Sequence, residues 1–267
     1  MSLPPEVGHQ RGAESEAVTA DPAWKGLYRV GAIAALIAAL VFRRNLGVAE
    51  VPLFTGLTFP STVAGWFTLL HGNTLLGLTF LNVFDIANYA LVGVMFLAVC
   101  VALRQVSKSY TLVAAALCFL GVGVYIVSNS AFPMLSLSMQ YSSASTDAQR
   151  STLLAAGQAV LADGYNPAAL YQGAGYYVSL MLVAVAGLIV SILMLQSRVF
   201  YRATGYVGIV ASACDLAYLV GLVFVPQSDV SLLGVACIAS GGLFVTIWHL
   251  LIGVKLFKLS RIHQIGQ

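Results

Sequence analysis

Charge is what this chain has least of: Asp, Glu, Lys and Arg make up 9% of its 267 residues, against roughly a quarter in soluble domains. With 59% apolar residues and a mean hydropathy of +0.89, a soluble globular class is excluded. A polytopic membrane protein is expected instead. The formal charge of +3 and pI near 8.7 do not point to nucleic acid, because the basic residues sit in ones and twos at the ends of apolar runs. Nucleic-acid binding needs a clustered basic face. Cysteine is scarce too. Cys100, Cys118, Cys214 and Cys237 all fall inside apolar runs and form no CxxC, so neither a zinc ribbon nor a structural disulfide is expected. They read as small buried hydrophobes. HExxH, HxxxH and GxSxG are missing as well, and no metal, cofactor or catalytic residue is expected.

Long apolar runs are what the chain does have. A span needs about 20 mostly apolar residues, and six runs qualify, at about 26–43, 82–103, 109–131, 168–196, 203–225 and 231–254. The first is the weakest, since Arg29 must snorkel. Charge counting supports it. With six crossings, Arg11, Lys25, Arg29, Arg104, Lys108, Arg198, Arg202, Lys255, Lys258 and Arg261 share one side, leaving Arg43, Arg44 and Arg150 on the other, ten against three. That is a strong positive-inside bias, and it places both termini in the cytoplasm of a cell with an inner membrane. Without the first crossing the split becomes six against seven and the bias disappears. The expected organisation is a disordered tail over 1–25, a six-helix domain over 26–258 and a short tail over 259–267. The first 24 residues carry Glu6, Glu14, Glu16 and Asp21 with three prolines and no apolar h-region, so no cleaved secretory signal is expected there. Neither end shows a lipidation pattern.

The two connections on the outer side, about 44–81 and 132–167, are too long to be structureless. They are expected to hold short amphipathic helices that cap the bundle. Within Pro60–Asn73, Val63, Trp66, Phe67 and Leu70 recur at helical spacing. Thr146 followed by Gln149 is a capping box, after which Leu153, Leu154, Gly157, Val160 and Leu161 form one apolar stripe ending near Gly164. Trp24, Tyr28, Trp66, Tyr110, Phe200, Tyr201 and Trp248 fall near the expected interfaces, as an aromatic belt requires.

Polar residues inside the spans are the candidate functional groups, because each is costly in hydrocarbon unless paired, neutral or wetted. Asp215 stands about halfway along an uncharged run from Ala203 to Val225. It either carries ligand or ions or, as a neutral acid bonded to a neighbouring Tyr or Ser, holds helices in register. Asp85 and Asn88 lie one turn apart near the start of the second run, where an acid also complements the helix dipole. Asn129 closes a face of Cys118, Gly121, Tyr125 and Ser128. Gly205, Gly208, Ser212 and Asp215 share another, and His249 falls on a stripe with Gly242, Thr246 and Gly253. Small residues on such faces let backbones approach. Counted at 1.5 Å per residue, Asp85, Asp215 and His249 lie at different depths, which argues against one compact metal or nucleophile site and leaves Asp85, Asn88, Asn129, Asp215 and His249 as ligand- or ion-pathway candidates.

Ser197-Arg198-Val199-Phe200-Tyr201-Arg202 with Gly205 and Gly208, a last span ending Ile247-Trp248-His249 through Gly253, and the start Leu27-Tyr28-Arg29-Val30-Gly31 resemble the uncharacterised domain-of-unknown-function family 4386 of prokaryotic membrane proteins. The resemblance covers about 26–258 and implies a polytopic helical bundle in a prokaryotic cell membrane. It implies no activity or site residues. The expected fold class is all-α, a six-transmembrane-helix bundle with two extracytoplasmic capping loops. The expected function is non-enzymatic binding of a small or lipidic ligand, or of a membrane-protein partner, in an outward-facing cavity near Asp85. The alternatives are a small ion- or proton-coupled transporter using Asp215, and a subunit of a larger membrane complex.

Overall fold

The computed structural model describes residues 22–55, 58–164, 173–224 and 227–261, of which 42–55, 222–223 and 227–240 are described as helix alone. The described residues form helices and no strands. Six long helices dominate: α1 (Lys25–Thr55), α4 (Val83–Leu103), α5 (Lys108–Ser128), α8 (Ala174–Gln196), α9 (Arg202–Phe224) and α10 (Gln227–Arg261). Four shorter ones, α2 (Val63–Gly72), α3 (Thr74–Phe80), α6 (Ala131–Ser143) and α7 (Asp147–Asp163), lie in the two long connections. Among the described residues, five stretches are long and apolar enough to cross a membrane: Val83–Leu103, Lys108–Ser143, Ala174–Gln196, Arg202–Gly221 and Gly241–Arg261.

The long helices form a closed ring. Each packs on its neighbour in chain order, and α10 returns to pack against α1. Small residues fix the sense of each pair. Gly31 at the start of α1 touches Ala98 near the end of α4, Gly187 of α8 meets Ser212 of α9, and Gly241 of α10 meets Cys214 and Asp215 of α9. A side chain at any of these glycines would overlap or crowd the facing helix, so the backbones approach closely. Neighbours are therefore antiparallel all round. The interior at one end is filled by an apolar core including Met95, Phe96, Val99, Leu193, Met194, Trp248, Ile252 and Leu256.

The outward faces are apolar as well. Leu112 is 72% exposed, Val127 86% and Phe224 78%. Helices apolar both inside and outside belong in lipid rather than water. The ring is thus a membrane bundle.

The short helices make a second unit at the end where α4 begins and α5 finishes. α2 packs on α3, α6 and α7, around Trp66, Phe67, Leu70, Phe80, Met134 and Leu161. Thr62 caps α2 by accepting from Gly65 N at 3.1 Å, and Ser138 Oγ donates to Phe67 O at 2.9 Å across the α2–α6 contact. The capping box of α7 is present in full: Gln149 N donates to Thr146 Oγ1 at 3.2 Å, and Thr146 N to Gln149 Oε1 at 3.3 Å.

Three expectations change. Residues 44–55, expected in a loop, continue α1 through Thr55. The segment after Asn129, also expected as loop, is α6, carrying Pro133 in its first turn. There a missing N–H costs nothing, because that donor has no intrahelical partner anyway. Tyr28, Trp66, Phe200 and Trp248 do not form a belt: all are at most 5% exposed and fill the two cores. Trp24, Tyr110 and Tyr201 do lie outside. The start of the fourth run at Asn166-Pro167 falls outside the described residues, as do the tails apart from Pro22–Lys25 and the last turns of α10.

At the end opposite the short helices, cations and rings meet. Arg104 lies 5.4 Å from the Trp24 ring, and Lys255 lies 4.9 Å from that of Tyr201. The two ends of the bundle therefore differ in charge.

Candidate functional site

Asn82 opens α4 in the left-handed region, φ 56° and ψ 39°, which Asn tolerates better than most residues. This turn aims the first residues of α4 at the end of α5. Two hydrogen bonds join them. Tyr125 Oη donates to Asp85 Oδ2 at 3.2 Å, and Asn129 Nδ2 reaches Asn82 O at 3.4 Å and Tyr125 Oη at 3.5 Å. Asn129 Oδ1 in turn accepts from Ala131 N at 3.0 Å, starting α6. Asn129 therefore locks α4, α5 and α6 together, while Asp85 stays half-buried and Asn88 is buried.

Below this knot the rings of Tyr89 and Tyr125 stack face to face, 3.8 Å between centroids and 1° apart. The Tyr89 phenol faces Ser179 of α8. Asn88 Oδ1 is buried and has no hydrogen-bond partner among the described residues. Asp215 is half-buried, with Oδ1 against Gly241, where an added Cβ would come to 3.3 Å. None of the described residues gives it a hydrogen bond or ion pair.

About two turns further from the cap, Trp248 lies edge-on to Phe96, 6.0 Å between centroids and 72° apart. Trp248 Nε1 and Ser191 Oγ press directly on Gly208, and a Cβ there would overlap both. His249 is 3% exposed, with Nδ1 unpartnered. It lies on the far side of Trp248 from Asp85. The structure thus gathers Asp85, Asn88 and Asn129 near the cap, sets Asp215 against Gly241 of α10, and keeps His249 apart.

No group of three His, Cys, Asp or Glu side chains among the described residues could hold a metal ion. Sequence reasoning missed Tyr89 and the Asp85–Tyr125 bond, whose partners are 40 positions apart. Compared with known proteins, the chain matches no family model, no curated protein and no solved structure.

Proposed function

We propose that the protein crosses the cell membrane with all six long helices, both termini in the cytoplasm, and binds a small or lipidic ligand non-enzymatically beneath an extracytoplasmic cap of α2, α3, α6 and α7. The observation that carries the reading is Asn88 Oδ1, a buried acceptor without a partner one turn from half-buried Asp85. A buried polar atom left unmatched costs about 1–3 kcal/mol. A guest that donates a hydrogen bond there recovers that cost. Orientation follows from the basic residues, which collect at the end opposite the cap and are attracted to the cytoplasmic face. The resemblance of a few short sequence stretches to family 4386 supports a prokaryotic cell membrane for this reading.

The test is ligand-dependent stability in lipid nanodiscs, with ethanolamine-headed and choline-headed lysolipids and glycerol monoesters as probes. At least one probe raises the unfolding midpoint of the wild type and raises that of Asp85→Asn much less. Equal shifts in the two proteins, or none, overturn the reading.

A second reading is a proton- or ion-coupled carrier, favoured by one observation. Asp215 stands half-buried within α9, and no described residue gives it a hydrogen bond or ion pair. In proteoliposomes, Asp215→Asn then abolishes ion-driven uptake while the unfolding midpoint holds. Loss of stability without any wild-type flux would leave Asp215 as a packing group.

A further inference from the structure

The lipid-facing side of α5 is not evenly covered. Its residues Lys108–Ser128 rise about 31 Å, close to the thickness of the hydrocarbon core, which sets Ser128 at the cap-side boundary and Phe119 near the midplane. Phe119, Leu120 and Val127 are exposed on this side. Among them stands Gly123, where an added Cβ would meet nothing within 4 Å, and the missing side chain leaves a groove of about 430 Å³ along Leu120, Gly123, Val124 and Val127. That volume lies within the roughly 300–1,000 Å³ of ordinary ligand sites. From Phe119 to Ser128 the helix rises about 14 Å, and one leaflet contributes about half of the 30 Å core. The groove therefore has the length of one leaflet.

Its boundary end is acidic. Asp163, the last residue of α7, completes the described lining, and its neighbour Gly164 packs on Ser128 O, which holds the end of α7 over the end of α5. Asp163 is exposed, and no described residue gives its carboxylate a hydrogen bond or ion pair. The one described Arg or Lys of the cap, Arg150, lies at the other end of α7 beside Asp147 at 4.0 Å, about 20 Å along the helix from Asp163. The position of the acid is also unfavourable to the helix itself. A helix C-terminus presents carbonyls without intrahelical donors and the negative end of the dipole, so it favours a cation, and α7 has no basic residue in its last turn. Two features of one place thus ask for the same thing: positive charge carrying N–H donors.

We propose that this groove binds a phospholipid of the cap-side leaflet whose headgroup ends in a primary ammonium, with one acyl chain along Leu120, Gly123 and Val127 and the ammonium at Asp163 and the end of α7. The chain replaces the side chain that Gly123 lacks. A primary ammonium brings both charge and N–H donors to the carboxylate, a quaternary one brings charge alone, and a headgroup with only negative charge is repelled. The groove is on the outside of the ring, so this site goes beyond the binding reading above, which concerns the interior beneath the cap.

The experiment uses full-length protein in phosphatidylcholine nanodiscs doped with a phospholipid that carries a photoreactive diazirine in one acyl chain and either an ethanolamine or a glycerol headgroup. Label is mapped by peptide mass spectrometry. The ethanolamine probe labels α5 between Leu120 and Val127 several-fold more than the glycerol probe does. Asp163→Asn removes this preference and leaves the unfolding midpoint of delipidated protein equal or higher, because an acid has left the negative end of a helix. Gly123→Leu, whose Cβ meets no protein atom, fills the groove and lowers labelling by both probes. Equal labelling by the two probes, or a preference that survives Asp163→Asn, overturns the headgroup assignment. A Gly123→Leu protein labelled as strongly as the wild type overturns the groove, and a lowered midpoint in Asp163→Asn assigns the carboxylate to holding the cap and overturns the site. Lysolipid shifts that depend on Asp85 are read separately: their absence overturns the reading beneath the cap and does not alter the label on α5.

Discussion

Replacing Tyr125 by Phe removes one oxygen from the centre of the polar knot and leaves the ring stack in place. That oxygen donates to Asp85 Oδ2 at 3.2 Å and accepts from Asn129 Nδ2 at 3.5 Å. A hydrogen bond to a charged group contributes roughly 1.5–3 kcal/mol. Two features reduce the loss here: Asp85 is half-buried and can rehydrate, and Asn129 Nδ2 keeps its bond to Asn82 O at 3.4 Å. The expected cost is about 1 kcal/mol. Tyr125→Ala is different, because Tyr125 is 2% exposed and its ring lies 3.8 Å from that of Tyr89. Truncating a buried aromatic to Ala costs about 3–5 kcal/mol. The assay is reversible unfolding in mixed micelles, with Asp85→Asn and the double variant completing a cycle. The coupling between Tyr125→Phe and Asp85→Asn should be a substantial part of the single-variant cost. Zero coupling, or a Phe variant as damaged as the Ala variant, would show that the hydroxyl does not bridge α4 and α5 in the way described.

Gly157→Ala places a Cβ 2.5 Å from Val63 Cγ1 and 3.0 Å from Phe67 Cζ, so α7 must move off α2 at about 1–3 kcal/mol. Hydrogen exchange should quicken in α2 and α7 and stay unchanged in α4, α5 and α8; uniform quickening would mean that cap and ring unfold as one unit. For topology, single cysteines at Ser15, Gln105 and Ser145 are read with a membrane-impermeant maleimide on intact cells. Ser145→Cys reacts from outside, while Ser15→Cys and Gln105→Cys react only after lysis. Outside labelling at Ser15 would show that α1 does not cross.

Much of the ring was legible in the sequence because a helix writes its buried face at a period of 3.6 residues. Gly205, Gly208 and Ser212 on α9, and Cys118, Gly121 and Tyr125 on α5, are all buried where that period puts them. The capping box of α7 was legible for a local reason, since Thr146 and Gln149 satisfy each other's backbone donors within one turn. α6 was hidden by Pro133, which stops a helix in its interior and is harmless in its first turn. The site was only half readable. Depth counting set Asp85 and Asp215 apart, and spacing along one chain contains no trace of the Tyr125 hydroxyl that reaches Asp85 from α5.

The closure of the ring by α10 against α1 constrains how the protein can be made. Ala32, Ala35 and Ala38 of α1 are fully buried, and Gly253 of α10 packs on Ala32 O and Leu36. During synthesis these residues are made first and their partner last. Until α10 arrives, the small-residue face of α1 is open to any other helix nearby. Translation speed through the intervening helices and the supply of helix-shielding chaperones then set the yield of correctly closed bundles, and a chain that stops short of α10 leaves an unfilled slot that quality-control proteases can recognise.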